Sequence, residues 1–536
     1  MRTASLMHAS FRGSAGLAIL PLYFLITILI GWMARKHSGN ANSYLNASRS
    51  LPLWVVTAAY LAANCGALEI VGLSAMAAQY GVEAFHFYWI GAIPAMVFLS
   101  IWMMPVYRRS GVRSIPEYLD IRYGPGVRLL NACVLAITML LLAGISLYAM
   151  AQVLQVVVGL RFAASVSLSA SIVLVYVLLG GVRATIYNEV FQLLVMLAGL
   201  IPLAVRSIRL GATFATTPTA ARNHLWIGMP IASQAAPLDG LGIVFGLGFV
   251  LSFGYWCTDF VMMQRAFAAR TESEARQVPL WAGFGKLLFS LIVVLPGLAA
   301  FRLFPGLGHS QRFDQALPLL MLSMYSPTML GLGLTALVAS LMSGLAANVS
   351  AFAAIWTEDI YRARICKRGS DPHYLLVGRI SVVAAIVIST LASYLNFLFR
   401  DLMEHVQLIF SIFGAPFWAI FLLGMATRRT TARGAILGFL SGTTLALVHL
   451  VAVTRGWLHY GSLMSADFHV ASYAFLVALC VGWFASDPWS ASRSSDTAMQ
   501  LVFHWQAGFH GAGTKLLWVL SAILLLASLA LNVIWK

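Results

Sequence analysis

LAANCGALEIVG, residues 61–72, places three weak helix formers and a carboxylate in the middle of an apolar run that covers residues 52–80. Asn64, Cys65 and Gly66 each have low helix propensity, so the helix is expected to loosen there. Glu69 follows within one turn. A carboxylate at the centre of a bilayer costs about 2.5 kcal/mol or more on insertion scales, so such a residue faces a cavity or a partner. Two roles fit it: a substrate or proton site, or a structural hydrogen bond made in the protonated state. The loosened helix beside it exposes backbone carbonyls, and these can coordinate a cation.

The rest of the chain agrees with a membrane setting. Of 536 residues, 60% are hydrophobic and only 10% are charged, and the mean hydropathy is +0.84. A soluble domain carries about 25% charge. Fourteen runs are long enough to span: 17–34, 52–80, 85–106, 125–159, 162–180, 184–206, 241–267, 277–303, 328–361, 374–397, 403–425, 432–453, 468–486 and 514–535. The longest polar interruptions, 207–240 and 487–513, are too short for a soluble domain. The net charge of +16 would suggest nucleic acid in a soluble chain. Here the basic residues sit in short loops, 21 on one side against 11 on the other. That bias places the richer side in the cytoplasm and both termini outside it, and it removes the case for a nucleic-acid partner. The five cysteines form no CxxC or His/Cys cluster, so neither a disulfide framework nor a zinc site is implied. Residues before the first apolar run carry no evident cleavage site, so that run is expected to be a retained span.

A second long run, 241–267, is interrupted at Ser252-Phe253-Gly254 and lies five spans after the first. Broken helices at matching positions of two halves, entering from opposite sides, point to an inverted-repeat transporter. The plainer alternative is that glycine in a span serves close packing alone.

Three more stretches carry polar groups. GGVRATIYNEVFQ, residues 180–192, makes a turn and then sends Glu189 and Gln192 into a span. Glu189 is either an escort for a cation or a helix-start acid favoured by the macrodipole. ASLMSGLAANVSAF, residues 339–352, repeats Ser340, Ser343, Ala347 and Ser350 on one narrow face. That face either offers hydroxyls to a sodium ion or packs as a small-residue stripe. YWCTDFVMMQR, residues 255–265, brings Tyr255, Trp256 and Asp259, with Lys286 in the next span. A buried charge tends to pair, so Lys286 and Asp259 are expected to find each other or a substrate. The aromatic residues here, like FHFYWIG at 85–91, suit either a small polar solute or the interfacial belt. No GxSxG, HExxH or P-loop occurs, and the chain shows no clustered acids or His/Asp pairs of a membrane enzyme.

These motifs resemble the sodium:solute symporter family, which includes the sodium/glucose and sodium/galactose cotransporters. GGVRATIYNEVFQ, YWCTDFVMMQRAFAARTESEA and SLMSGLAANVSAFAAIWTEDIY are similar to three family segments, in order, within residues 15 to 455. The resemblance implies an all-α membrane protein with a LeuT-like inverted five-helix repeat and extra flanking helices, about fourteen spans in all. The parts would be 1–51, an extra helix and loop; 52–206, the first repeat; 207–240, an external loop; 241–425, the second repeat; and 426–536, accessory helices.

The resemblance also implies site residues. Sodium would be held by Ala62 and Cys65 on the first broken helix and by Ser340, Ser343 and Gly344 on the eighth, where Gly344 lacks the hydroxyl the family usually has. A second sodium position seen in some members meets Ala346 and Ala347 here, so it is not expected. Glu189 takes the place of the family's acid near the ion exit. Solute would meet Glu69, Tyr88, Trp89, Ser252, the gate tyrosine Tyr255, Lys286 and Ser411. Glu69 stands where the family usually has a glutamine. The expectation is a symporter of the bacterial plasma membrane that couples sodium influx to uptake of a sugar or similar solute. Proton coupling through Glu69 or Glu189, a cationic solute held by Glu69, and a sensor or membrane enzyme on a transporter-like body are the rivals.

Overall fold

The computed structural model describes residues 16–34, 45, 50–66, 68–112, 114–211, 236–399, 402–486 and 514–534. Most of the two long polar interruptions, 207–240 and 487–513, lies outside these residues, as do the basic residues Arg35, Lys36 and Arg113. Among the described residues, eleven helices are long and apolar enough to cross a bilayer, and two bent helix pairs each supply one more span. The helix α1 (Gly16–Ala34) takes the remaining place of the fourteen expected.

The first bent pair is α2 (Leu53–Asn64) and α3 (Glu69–Phe85), which meet at 54°. α2 ends because the Cys65 backbone leaves the helical region, with ψ 45°, while its N–H still bonds Leu61 O. Gly66 N–H then bonds Asn64 O at 2.7 Å, which closes the chain into a tight turn. The break expected at residues 64–66 is therefore present. α4 (Phe87–Arg109) follows, then a short helix α5 (Ile115–Tyr123) whose N-cap is the Ser114 hydroxyl. α6 (Pro125–Val158) opens with proline in its first turn and stops at Gly159 in the left-handed region. α7 (Phe162–Leu179) and α8 (Gly181–Leu210) are joined at Gly181, whose φ of 57° and ψ of −152° only glycine adopts readily.

The second bent pair is α9 (Gly242–Thr258) and α10 (Phe260–Phe267), at 46°. Its break corrects the sequence expectation. Ser252, Phe253 and Gly254 are helical, and the chain turns at Asp259 instead. Asp259 is extended, with ψ 129°, and its carboxylate accepts from Met262 N–H, so it caps α10. Gly254 is small for another reason: a Cβ there would stand 3.3 Å from Trp418 Cβ. α11 (Glu272–Leu303) starts with a full capping box from Thr271 and Glu274. A short helix, α12 (Ala316–Met324), leads to α13 (Pro327–Ile365), α14 (Asp371–Leu398), α15 (Leu402–Ala426), α16 (Ala432–Thr454), α17 (Leu463–Phe484) and α18 (Thr514–Ile534).

Burial orders these helices. In α13, 89% of the most apolar window is inside the protein, against 28% in α16 and in α18. α13 is thus the central post and α16 and α18 face lipid. Its small residues explain that position. Gly199 of α8 lies directly on Ala336 and on the Leu332 carbonyl, so the two helices touch backbone to backbone.

Candidate functional site

At the first break, α13 meets the loosened backbone of α2. The Ser343 hydroxyl donates to Ala62 O at 3.0 Å and the Ser340 hydroxyl donates to Cys65 O at 2.8 Å. A Cβ on Gly66 would lie 3.2 Å from the Gly344 Cα, so glycine is what lets the two backbones close. Five expected residues, Ala62, Cys65, Ser340, Ser343 and Gly344, are therefore brought together. Their donors are carbonyl and hydroxyl oxygens with no carboxylate among them. That set suits a hard cation of low charge.

Beside the break lies a cavity of about 100 Å³. It is lined by Asn64, Glu69, Tyr88, Ser252, Tyr255, Trp256, Lys286 and Gln407, together with apolar side chains. Lys286 organises the polar wall. Its ammonium sits 2.5 Å from Glu69 Oε2, with side chains 1% and 8% exposed respectively. It also donates to Asn64 Oδ1 and lies 5.4 Å and 5.7 Å from the ring centres of Trp256 and Tyr88. Asn64 in turn donates its amide N–H to the Tyr255 hydroxyl at 2.8 Å. Glu69, Lys286, Asn64 and Tyr255 thus form one chain of contacts across α3, α11, α2 and α9. Two buried polar atoms on cavity residues, Glu69 Oε1 and the Tyr88 hydroxyl, find no hydrogen-bond partner among the described residues.

Five of the seven residues expected to meet solute line this cavity: Glu69, Tyr88, Ser252, Tyr255 and Lys286. Trp89 and Ser411 do not. Trp89 stacks on Phe85 at 4.5 Å and donates its indole N–H to Ser290 Oγ at 3.3 Å. Ser411 donates to Gln407 O and to Asp467 O at 2.7 Å and 2.9 Å, which ties α15 to α17. The polar residue of α15 that reaches the cavity is Gln407, one turn earlier, beside the apolar Met403, Val406 and Phe410. Sequence reasoning passed over it, although a glutamine in an apolar run is itself a signal of a polar cavity. Asn64 was read as a helix breaker only, and its side chain does more.

Two other expectations change. Lys286 pairs with Glu69 and not with Asp259, because Asp259 is committed to capping α10. Glu189 is not a free carboxylate. Its Oε1 and Oε2 accept from Arg265 Nη2 and Nε at 2.6 Å and 3.3 Å, with both side chains fully buried. The pair locks α8 to α10.

Tyr255, Leu251 and Phe410 also line a second cavity, of about 40 Å³, bounded on its far side by Asn131, Thr258 and Asp259. Tyr255 is therefore a partition between two spaces.

Paired broken helices around a central polar cavity define a secondary transporter of the LeuT-like fold. A model of the sodium:solute symporter family matches residues 44–442, and the chain belongs to that family. Among curated relatives, the sodium/glucose cotransporter of Vibrio parahaemolyticus is 28% identical over 461 residues, covering 80% of this chain and 84% of the relative. The human sodium/myo-inositol cotransporter 2 is 29% identical over 480 residues, covering 81% and 69%. Among solved structures, a Na⁺-coupled sialic acid symporter in a substrate-bound outward-open state superposes with a TM-score of 0.76 at 19% identity, covering 89% of this chain and 97% of that one. At that identity the likeness speaks for the fold alone. The chain is a multi-pass membrane protein of a transporter family.

Proposed function

We propose that this protein is a sodium-driven symporter for a small, neutral, polyhydroxylated solute, a monosaccharide or a polyol such as an inositol. The observation that carries this is the Glu69–Lys286 pair in the wall of the central cavity. Its two charges cancel, so the cavity offers strong hydrogen-bonding groups without net charge. A cationic solute gains nothing from a carboxylate already neutralised at 2.5 Å. A polyol gains an acceptor at Glu69 Oε1, a hydroxyl at Tyr88 and an amide at Gln407. The named relatives carry glucose and myo-inositol, which is the same chemistry.

Sodium, as cargo, would settle among Ala62 O, Cys65 O and the Ser340 and Ser343 hydroxyls, which now satisfy each other. Its arrival would fix the break, and with it the positions of Asn64 and Glu69 on either side. Solute competing for Lys286 would loosen Asn64 from its carbonyl contact and so from Tyr255. Tyr255 would then yield toward the second cavity. By the excess of basic residues, the loops that carry Arg108, Arg270, Arg362 and Arg428 face the cytoplasm of a bacterial cell and both termini lie outside it. The two five-span repeats would be residues 52–206 and 241–425.

Purified protein in proteoliposomes tests this. Radiolabelled glucose and myo-inositol are offered under an inward sodium gradient at equal pH, and again under a pH gradient without sodium. Sodium-dependent accumulation of one of them is expected. Accumulation that ignores sodium and follows pH would overturn the coupling, and preferential competition by amines would overturn the neutral solute.

A further inference from the structure

A third cavity, of about 440 Å³, opens between α5, α6 and the inner end of α13, more than four times the size of the central one. Its wall adjoins that of the small cavity in sequence. Phe260, in its wall, directly follows Asp259, which lines the small cavity beneath Tyr255. Arg128, also in its wall, stands one helical turn before Asn131, which lines the small cavity too. Tyr255 thus lines the first two spaces, and the Asp259–Phe260 turn supplies wall to the last two. Asn131 Oδ1 has no hydrogen-bond partner among the described residues.

The large cavity has a built polar wall. Asp359 is 1% exposed and uses its two oxygens unequally. Oδ1 accepts from Ser114 Oγ at 2.9 Å and from Arg128 Nε and Nη2 at 3.1 Å and 2.8 Å. Oδ2 finds no partner among the described residues. A buried carboxylate oxygen left without a donor is a costly feature unless something supplies one. Arg128 is held in place by a further bond to Asp120 at 2.9 Å, and Ser114 by its role as N-cap of α5. Neither can swing to serve Oδ2 without giving up its present bond.

The charges of the wall choose the ligand. Among the described residues, three carboxylates, Glu117, Glu358 and Asp359, and three cations, Arg128, Arg362 and Lys367, line the wall. A cation approaching Asp359 meets the Arg128 guanidinium on the same carboxylate. An anion meets the acids. A neutral molecule that both donates and accepts through several hydroxyls meets neither obstacle.

We propose that this cavity is a second solute site on the cytoplasmic side, which receives the neutral polyhydroxy solute after it passes Tyr255 and holds it through a hydroxyl donated to Asp359 Oδ2. The site rests on the symport of a neutral polyol argued above. It gives the solute a place to reside while the central cavity is already clear, so release becomes a step separate from gating.

Sidedness of the transport constants tests it. Proteoliposomes of sorted orientation are used, and the solute is whichever of radiolabelled glucose or myo-inositol the unaltered protein accumulates. KM is measured for entry from the outer face and for entry from the inner face. Asp359→Asn is expected to raise the inner-face KM about tenfold, the scale of one hydrogen bond to a charged group, and to leave the outer-face KM within about twofold. Glu358→Gln, at a more exposed position, is expected to raise the inner-face KM about threefold and is the variant to use if Asp359→Asn fails to assemble. An inner-face KM unchanged in both variants, or KM values that rise equally on both faces, would overturn the site. If the unaltered protein accumulates neither solute, the symport proposal itself fails, and the second site falls with it.

Discussion

The Glu69–Lys286 pair makes the sharpest quantitative demand. Its atoms are 2.5 Å apart, and its side chains are 8% and 1% exposed. Removing one member of such a buried pair costs about 3–5 kcal/mol, because the other charge is left without compensation. Glu69→Gln keeps a neutral acceptor for the ammonium, and Asn64 still accepts from it, so the lower figure of about 3 kcal/mol applies. Lys286→Met leaves a buried carboxylate whose Oε1 already lacks a partner, so about 4–5 kcal/mol applies. The double variant replaces both charges by neutral side chains of similar length and is expected within about 1–2 kcal/mol of the original. The coupling between the sites is therefore about 5–7 kcal/mol, far above the additivity error of about 0.5 kcal/mol. The assay is the unfolding half-life of the four proteins in one detergent at one temperature, since a protein of this kind is compared by rate more safely than by equilibrium. Uptake is measured in parallel. Both single variants are expected to lose transport while any residual uptake keeps its sodium dependence. Additive losses in the double variant would refute the pairing. Sodium-independent uptake by Glu69→Gln would refute the view that Glu69 serves solute and not the coupling ion.

The other expectations are simpler. Ser343→Ala removes the hydroxyl that meets Ala62 O and should raise the sodium concentration for half-maximal uptake about tenfold, the scale of one lost charge-assisted ligand; Ser343→Thr should retain it, as a sodium titration will tell. Gly66→Ala places a methyl 3.2 Å from the Gly344 Cα; it should weaken sodium activation in the same titration without abolishing folding. Arg265→Met strands the fully buried Glu189 and should cost about 3–5 kcal/mol, most of it recovered in the double variant with Glu189→Gln when unfolding half-lives are compared. Tyr255→Phe deletes the hydroxyl that accepts from Asn64; solute exchange across proteoliposomes should lose its tightness to the gradient, with a higher rate of downhill leak.

Much of the architecture could be read from residues alone, because a bilayer demands long apolar runs and punishes unpaired backbone. Every expected span has its helix, and the break at Asn64-Cys65-Gly66 is where weak helix formers cluster. The second break was misplaced for a local reason. Glycine at 254 looked like a weak point, yet it is small because Trp418 packs on it, and the true turn is made by a capping side chain, Asp259. The two solute-site residues that fall outside the cavity, Trp89 and Ser411, came from the family resemblance alone. Trp89 lies in the π-helical turn Phe87–Ala92 and Ser411 in the π-helical turn Phe410–Gly414. Each extra residue in such a turn rotates the next part of the helix by about 100° relative to an unbroken α-helix. Alignment fixes no face across such a turn: Glu69 and Tyr88, themselves in π-helical turns, reach the cavity, whereas Trp89 and Ser411 do not. Gln407, in the regular helix just before the second of these turns, faces the cavity as an ordinary period would have it. Ion pairing was illegible for a third reason. Lys286 and Glu69 are 217 residues apart, and only the close approach of α11 to the broken helix brings them together.

That approach also changes what a glutamate means at position 69. Alone, it would be a negative charge in a low-dielectric cavity and would recruit a cation. Beside Lys286 it is one end of a fixed dipole, and its remaining oxygen is a strong acceptor on a residue that lines the same cavity as Tyr88. An amide at this place would give a weaker acceptor and leave the ammonium to seek its charge from solute or from water. The carboxylate instead holds Lys286 between itself and Asn64, and Asn64 holds Tyr255. A solute hydroxyl that donates to Glu69 weakens its hold on Lys286, and one that accepts from Lys286 competes with Asn64. The contact at Glu69 reaches the tyrosine partition through three links and the contact at Lys286 through two. On the symport mechanism proposed above, recognition of the solute and loosening of the tyrosine partition become the same event, and glutamate at 69 bears on how solute is sensed rather than on which ion drives it.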